Sequence, residues 1–197
     1  MYISNYQLGI IWSIGSYVES EKRLVIRHKD KYFLEQLKNL TQNNIYFQST
    51  IEKEYYVLKM PEIDMKYLEN LGWTDRNADI RHLPVLSDYK DFLRAYIELH
   101  SSLDYSKRNP TIRKLRFRIY GNEMLIEELN QTISNYCNVK NKTPQVAHNN
   151  KTAILYYQSF REIDNIFSYI EGKPCNSAFW KDAERKLNLP KLKNMKI

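Results

Sequence analysis

The sequence predicts an α+β fold made of two similar αββαββα halves, with mixed or antiparallel sheets, packed through one central helix from each half. Three recurrences support it. The apolar stretch Tyr6–Ser16 is answered by Phe92–Ser102, and both carry small residues where a helix can be approached closely; setting Gly9 against Ala95 also sets Ile14 against His100 and Ser16 against Ser102, a constant offset of 86 residues (9 to 95). The run Leu24–Leu37, strand-like and then helical, is echoed by Leu115–Leu129 at an offset of 91 (24 to 115), so the second half carries a longer loop after its first helix. Glu62-Ile63-Asp64 before Lys66-Tyr67-Leu68 returns as Glu162-Ile163-Asp164 before Ile166-Phe167. Three echoes in one order mark an internal repeat.

In the first half, residues 1–72, Gly9 and Ser13 lie four apart and share a helix face, which favours a closely packed helix over a buried strand. Ser16 to Glu19 and Arg23 to His28 read as a hairpin around Ser20-Glu21-Lys22. Asp30 is placed to cap a helix whose Tyr32, Phe33, Leu34, Leu37 and Leu40 recur at spacings of three and four. Ile45 to Ser49 and Tyr55 to Met60 are two further strands, and Pro61 opens a short helix through Leu71 that Gly72 closes.

Residues 73–87, with Asp75-Arg76-Asn77 and Pro84, read as a linker. The second half, 88–175, begins with a helix from Asp88 to His100. A long polar loop follows, then a strand from Lys114 to Tyr120, a helix from Glu123 to Tyr136, and a polar stretch from Asn138 to Asn150. A strand from Thr152 to Gln158 and a helix from Glu162 to Glu171 complete it, with Gly172 and Pro174 as the stop. Residues 176–197 give a last helix, Ser177 to Leu187, and a basic tail with Lys191, Lys193 and Lys196, ordinarily a solvated end.

With 197 residues, 43% hydrophobic and 13% aromatic, the chain can bury a sizeable core as one large domain or two small ones that share it. Lys and Arg number 30 against 23 Asp and Glu, a net charge of +7 that favours a polyanionic partner, although a solvated basic surface accounts for the charge alone equally well. Cys137 and Cys175 stand apart with no zinc spacing, which fits a reducing, cytoplasmic setting. Met1–Asn5 lacks a basic segment, and the apolar run after it is about half the ~20 residues of a membrane span. No membrane partner and no cofactor are expected. Nothing in the chain matches a phosphate-binding glycine loop, a nucleophile elbow or a dinucleotide fingerprint.

Leu8-Gly9-Ile10-Ile11 with Gly15-Ser16, Phe92-Leu93-Arg94-Ala95-Tyr96 with Ser101-Ser102, and the strand-to-helix units from Leu24 and Leu115 together resemble the single-chain LAGLIDADG homing endonucleases over nearly the whole chain. The resemblance implies two halves packed through their motif helices, here by way of Gly9, Ser13, Ala95 and Leu99, and a saddle of sheets against the major groove of duplex DNA. It also implies a metal-binding carboxylate at the foot of each motif helix. The corresponding triplets here are Ser13-Ile14-Gly15 and Leu99-His100-Ser101, without an acid. Ile14 has no donor atom, and the His100 nitrogen is a poor replacement for carboxylate oxygen at Mg²⁺, a hard ion. Of the nearest acids, Glu98 sits about 200° round the helix from His100, and Glu19 lies past the helix end. No metal site and no catalytic residue are therefore expected.

Strand alternation gives the expected DNA face. Leu115, Phe117 and Ile119 would lie on helices, leaving Arg116, Arg118 and Tyr120 opposite; the 91-residue offset puts Val25, Arg27 and Lys29 on the matching face, with Tyr46 and Gln48 beside them. Arginine is the common bidentate reader of guanine. Lys107, Arg108, Lys140, Lys142 and Lys151 are the expected phosphate contacts. Arg on the outer side of a half-buried strand is ordinarily just solvated, and repetition in both halves is what favours a functional face. His28, His82 and His148 are expected as surface or core residues, and most of the 16 Tyr as core.

The resulting expectation is a monomeric, sequence-specific, catalytically inactive duplex DNA-binding protein derived from a homing endonuclease, acting in transcription regulation and nucleoid-associated when bound. Its rivals are an active endonuclease with displaced acids, an RNA-binding intron maturase, and a protein-interaction module on the same scaffold.

Overall fold

The computed structural model describes residues 3–35, 37, 45–50, 53–60, 63–105, 114–147, 152–172 and 177–187. Helix α1 (Asn5–Ile14) starts in a capping box: the Gln7 amide donates to Ser4 Oγ over 3.3 Å, and the Ser4 amide donates to Gln7 Oε1 over 2.9 Å. Tyr6, Leu8 and every residue from Gly9 to Ser13 are buried. A helix apolar on all sides belongs in the middle of a protein, and α1 lies there, against α4 (Lys90–His100). A Cβ on Gly9 would stand 2.5 Å from the Phe92 carbonyl oxygen and 2.7 Å from Ala95 Cβ, so only glycine allows this approach. Ser13 is held within the apolar surroundings by donating its hydroxyl to the Gly9 carbonyl at 2.7 Å.

Each central helix runs directly into an end strand of an antiparallel four-stranded sheet. The first sheet has β1 (Gly15–Val18), β2 (Arg23–His28), β3 (Tyr46–Ser49) and β4 (Glu54–Lys59) in the order β1-β2-β4-β3. The second has β5 (Ser101–Tyr105), β6 (Leu115–Gly121), β7 (Gln145–Val146) and β8 (Ala153–Tyr157) in the equivalent order β5-β6-β8-β7. Among the described residues every strand pair is antiparallel. The β1–β2 turn passes through a short 3-10 segment, Glu19–Glu21, and Lys22 at φ 49°.

Helix α2 (Lys31–Glu35) buries Phe33 and Leu34, and the Tyr32 amide donates to Asp30 Oδ1 at 2.9 Å. Helix α3 (Ile63–Asn70) ends as Gly72 predicts: its φ of +86° lets the Trp73 amide reach back to the Leu68 carbonyl at 2.9 Å. In the second half α5 (Glu123–Cys137) and α6 (Phe160–Tyr169) cover the inner face of the sheet with Leu125, Ile126, Leu129, Ile133, Ile163, Ile166 and Phe167. Helix α7 (Ser177–Leu187) packs against β5 and reaches α4 through the Trp180–Glu98 bond, burying Trp180, Ala183 and Leu187. One core cluster runs through both halves. Cys137 is a buried free thiol; Cys175 and the tail lysines lie outside the described residues.

Two strands depart from the sequence expectation. Ser101–Tyr105, expected as the beginning of a long loop, is strand β5; of its five residues only Leu103 is buried, so the inward alternation is a single apolar residue. Gln145–Val146 is exposed, and its strand character comes wholly from pairing with Ile154 and Ala153.

Residues 73–89 contain no helix or strand but are tied to both halves. The Tyr17 amide donates to Asp75 Oδ2 at 2.8 Å, Trp12 Nε1 donates to the His82 carbonyl at 2.9 Å, and the Leu83 amide donates to Glu128 Oε2 at 2.6 Å. No helix among the described residues is long and apolar enough to cross a membrane.

Candidate nucleic-acid interface

Cross-strand pairing fixes which side chains share the outward face of each sheet. In the second sheet Ser102 pairs with Arg118 and Arg118 with Tyr156, Asp104 pairs with Arg116, and Tyr120 pairs with Ile154. The two arginines are not independent. Arg116 holds Asp104 in a two-pronged bridge, Nε to Oδ1 at 2.9 Å and Nη2 to Oδ2 at 3.0 Å, and Arg118 Nη2 reaches the same Oδ2 at 2.6 Å. The hydrogen bonds that Arg116 donates to Asp104 raise its pKa above the ordinary value. The Arg118 guanidinium also lies over the Tyr120 ring, 5.7 Å from its centroid, and the Tyr120 hydroxyl is 2.8 Å from Ser102 Oγ. One carboxylate therefore sets the position of two forks on an outward-facing strand.

The first sheet is built differently. Val25 pairs with Lys59, Arg27 with Val57, Val57 with Tyr46, and Tyr55 with Gln48, so these residues share a face. Val25, expected on this face with Arg27 and Lys29, is 1% exposed and forms an apolar floor with Val57, 3% exposed. Arg23, Tyr46, Phe47, Gln48 and Lys59 ring this floor in a depression of about 370 Å³. Lys59 bonds Glu21 at 2.6 Å, and that bond lowers the Glu21 pKa. Arg27 and Lys29 are exposed.

Between the sheets stand the feet of the two central helices. Ile14 is half-buried hydrocarbon. His100 Nε2 donates to the Ser13 carbonyl at 2.8 Å, and its ring stacks on Tyr96 with centroids 5.0 Å apart. Burial lowers the His100 pKa; the Ser13 hydrogen bond opposes this, and the charges of Arg81 and Arg76 add to it. A neutral imidazole with its Nε2 proton committed to a carbonyl, beside an isoleucine, does not fit a magnesium ion, which needs oxygen ligands. Among the described residues no group of three His, Cys, Asp or Glu is placed to hold a metal.

No protein-family model matches the sequence, and no curated protein matches it. Solved structures do. The LAGLIDADG meganuclease I-CpaMI, bound to uncleaved DNA, superposes with a TM-score of 0.66 at 14% identity over 98% of this chain and 94% of that one. The LAGLIDADG homing endonuclease I-LtrWI, bound to target DNA, gives 0.65 and 14% over 96% and 90%. I-GzeII, in complex with its DNA target, gives 0.65 and 14% over 98% and 92%. The chain has the LAGLIDADG homing-endonuclease fold.

On this LAGLIDADG scaffold the other expected site residues divide clearly. Arg27, Tyr46, Gln48, Arg116, Arg118 and Tyr120 lie on outward sheet faces, and Lys29 lies just past the end of β2. Lys140 is exposed in the stretch after α5. Lys142 is engaged elsewhere: its Nζ bonds Glu162 at 2.6 Å and lies over the Tyr157 ring. Lys107, Arg108 and Lys151 lie outside the described residues. Gly9 and Ala95 meet at the helix interface, Ser13 turns back on its own helix, and Leu99 packs at the edge of the core. Glu98 is buried beneath Tyr6 and Trp180, which donate to it at 2.6 Å each.

Asp104 and Arg81 are the residues that sequence reasoning missed. The offset of 86 already sets Ser101 against Gly15 and Asp104 against Val18, so β1 was the signal for β5. Arg81 had none: its burial follows from the path of the linker.

Proposed function

We propose that this chain binds duplex DNA sequence-specifically through the outward faces of its two sheets, leaves it uncleaved, and acts by occupying its site, as a transcriptional regulator does. The observation that carries this reading is the pair of arginine forks, Arg116 and Arg118, held by Asp104 on the outward face of the second sheet. A fork fixed before binding loses less freedom when it meets the O6 and N7 acceptors of guanine. Arg27, Tyr46 and Gln48 are the counterparts on the first sheet, where an amide side chain suits adenine and an apolar floor suits a thymine methyl group. The absence of cleavage is supported by Ile14 and by the committed His100, which supply no carboxylate oxygen at either helix foot. A monomer is the expected form, since each central helix already has its partner within the chain.

The test is selection of bound fragments from a random duplex pool at fixed salt, followed by incubation of the selected duplex with the protein and Mg²⁺. The expected result is a long motif without a palindrome and a duplex that stays intact. Enrichment of structured RNA instead would favour an intron maturase, and no enrichment of any nucleic acid would favour a protein-interaction module. Nicking abolished by Glu19→Gln would restore the endonuclease reading.

A further inference from the structure

A cavity of about 520 Å³ opens at the feet of the central helices, bounded by Ser13, Ile14 and His100 on one side, by the start of α5 on another, and by linker residues 76–79 and 81. A water molecule takes about 30 Å³, so there is room for a phosphate group with several waters. Among the described residues two cations line it, Arg76 and Arg81, together with His100 and two exposed acids, Asp79 and Glu123.

Arg81 is the unusual member. It is 5% exposed, yet it enters none of the ion pairs among the described residues. Its Nη2 donates to the Trp12 carbonyl at the end of α1, and its Nε has no hydrogen-bond partner. Asp75 is near enough for its charge to be felt, but its two oxygens are occupied by the amides of Tyr17 and Asn77 at 2.8 and 2.9 Å. Burying a guanidinium without a carboxylate is costly, and a bound anion offsets that cost. The α1 carboxyl end supplies only a partial negative charge.

The geometry points to this cavity as a metal-free phosphate site, in which Arg81 and Arg76 of the linker hold a phosphate group at the feet of the two central helices. The phosphate can come from the backbone of a bound duplex or from free phosphate. The duplex source rests on the DNA reading above; the site itself does not. Arg81 donates from the floor through the end of its guanidinium, Nε itself being sealed from the cavity, and exposed Arg76 closes on the group from the rim. His100 borders the anion without bonding it through Nε2, which Ser13 occupies, so its ring reports occupancy.

The experiment follows the His100 ring resonance of the full chain, assigned by its loss in His100→Gln. Sodium phosphate is titrated against chloride at equal ionic strength, and in parallel a random-pool-selected duplex, intact or with single uncharged methylphosphonates. The expected result is a saturable shift that is about tenfold weaker in Arg76→Gln and in Arg81→Gln, as loss of one charge-assisted hydrogen bond implies. Arg76 is exposed, so its variant carries the test even if Arg81→Gln does not fold. A shift with phosphate but not with duplex identifies free phosphate as the ligand. A shift with duplex that one central methylphosphonate removes identifies the backbone. Duplex binding with His100 unmoved by either ligand overturns the cavity site and leaves the DNA reading intact, as does a shift unchanged in both variants. A phosphate response in a protein that binds no duplex leaves the cavity site standing and overturns the DNA reading.

Discussion

His100 of one central helix donates its Nε2 proton to the carbonyl of Ser13 on the other, 2.8 Å away, so a side chain pins together the feet of the two halves. That bond has a pH dependence. Burial lowers the folded pKa of His100, and also that of His28, below the ordinary 6.5. Above 6.5 both are neutral whether the chain is folded or not; as pH falls through 6.5 the unfolded chain takes up protons that the folded one does not. Stability is therefore full above 6.5, falls below it, and levels off once the folded values are passed. Urea midpoints between pH 5 and 8 will show this slope. His100→Gln will remove its share and leave that of His28.

Gly9 will not accept a larger residue. In Gly9→Ala the new methyl meets the Phe92 backbone at 2.5 Å and Ala95 at 2.7 Å, and backbone cannot swing aside. The gain in helix propensity is about 1 kcal/mol, and overpacking outweighs it, for a net loss on the order of 1 to 3 kcal/mol. Equilibrium urea unfolding with an unchanged m-value is the check.

Glu98→Gln tests the anchoring of α7. Tyr6 and Trp180 each donate to a different oxygen of Glu98. In the variant the amide nitrogen faces one of them, and the Tyr6 hydroxyl can turn to accept from it while the Trp180 N–H cannot, so the cost is on the order of 1 kcal/mol if the nitrogen faces Tyr6 and about 1 to 3 kcal/mol if it faces Trp180. Hydrogen exchange will rise first in α7 if Trp180 is the group released, and near the start of α1 if it is Tyr6.

Asp104→Ala frees both Arg116 and Arg118 and removes a negative charge from the outward face. Binding to scrambled duplex is expected to tighten, with a salt slope steeper by about one. Discrimination in favour of the preferred site will fall by about 1 to 3 kcal/mol as the forks lose their orientation. A salt series on preferred and scrambled duplexes measures both changes, and Arg116→Ala will lose discrimination without the gain on scrambled sequence.

The central helices were legible because packing at this interface demands small residues at fixed places, and Gly9 and Ala95 keep that record at a constant offset. The outward faces were legible for the same kind of reason: Leu115, Phe117 and Ile119 alternate with Arg116, Arg118 and Tyr120, and a pleated strand turns alternation into faces. Strand β5 was obscure because Leu103 is its single buried residue, and β7 because two exposed residues carry no pattern. Lys142 looked like a free basic group until the fold brought Glu162 beside it. The role of Arg81 is tertiary, made by a linker without regular structure crossing the end of α1.

The unlikeness of the two sheet faces has a consequence of its own. A homodimer built from identical halves meets a duplex the same way in either orientation. Here one face presents an apolar floor ringed by Arg23, Tyr46 and Lys59, and the other a carboxylate holding two forks, and a single chain joins them in fixed order. A duplex lying across both faces would have a left and a right, so a bound chain would mark a direction along the DNA as well as a position.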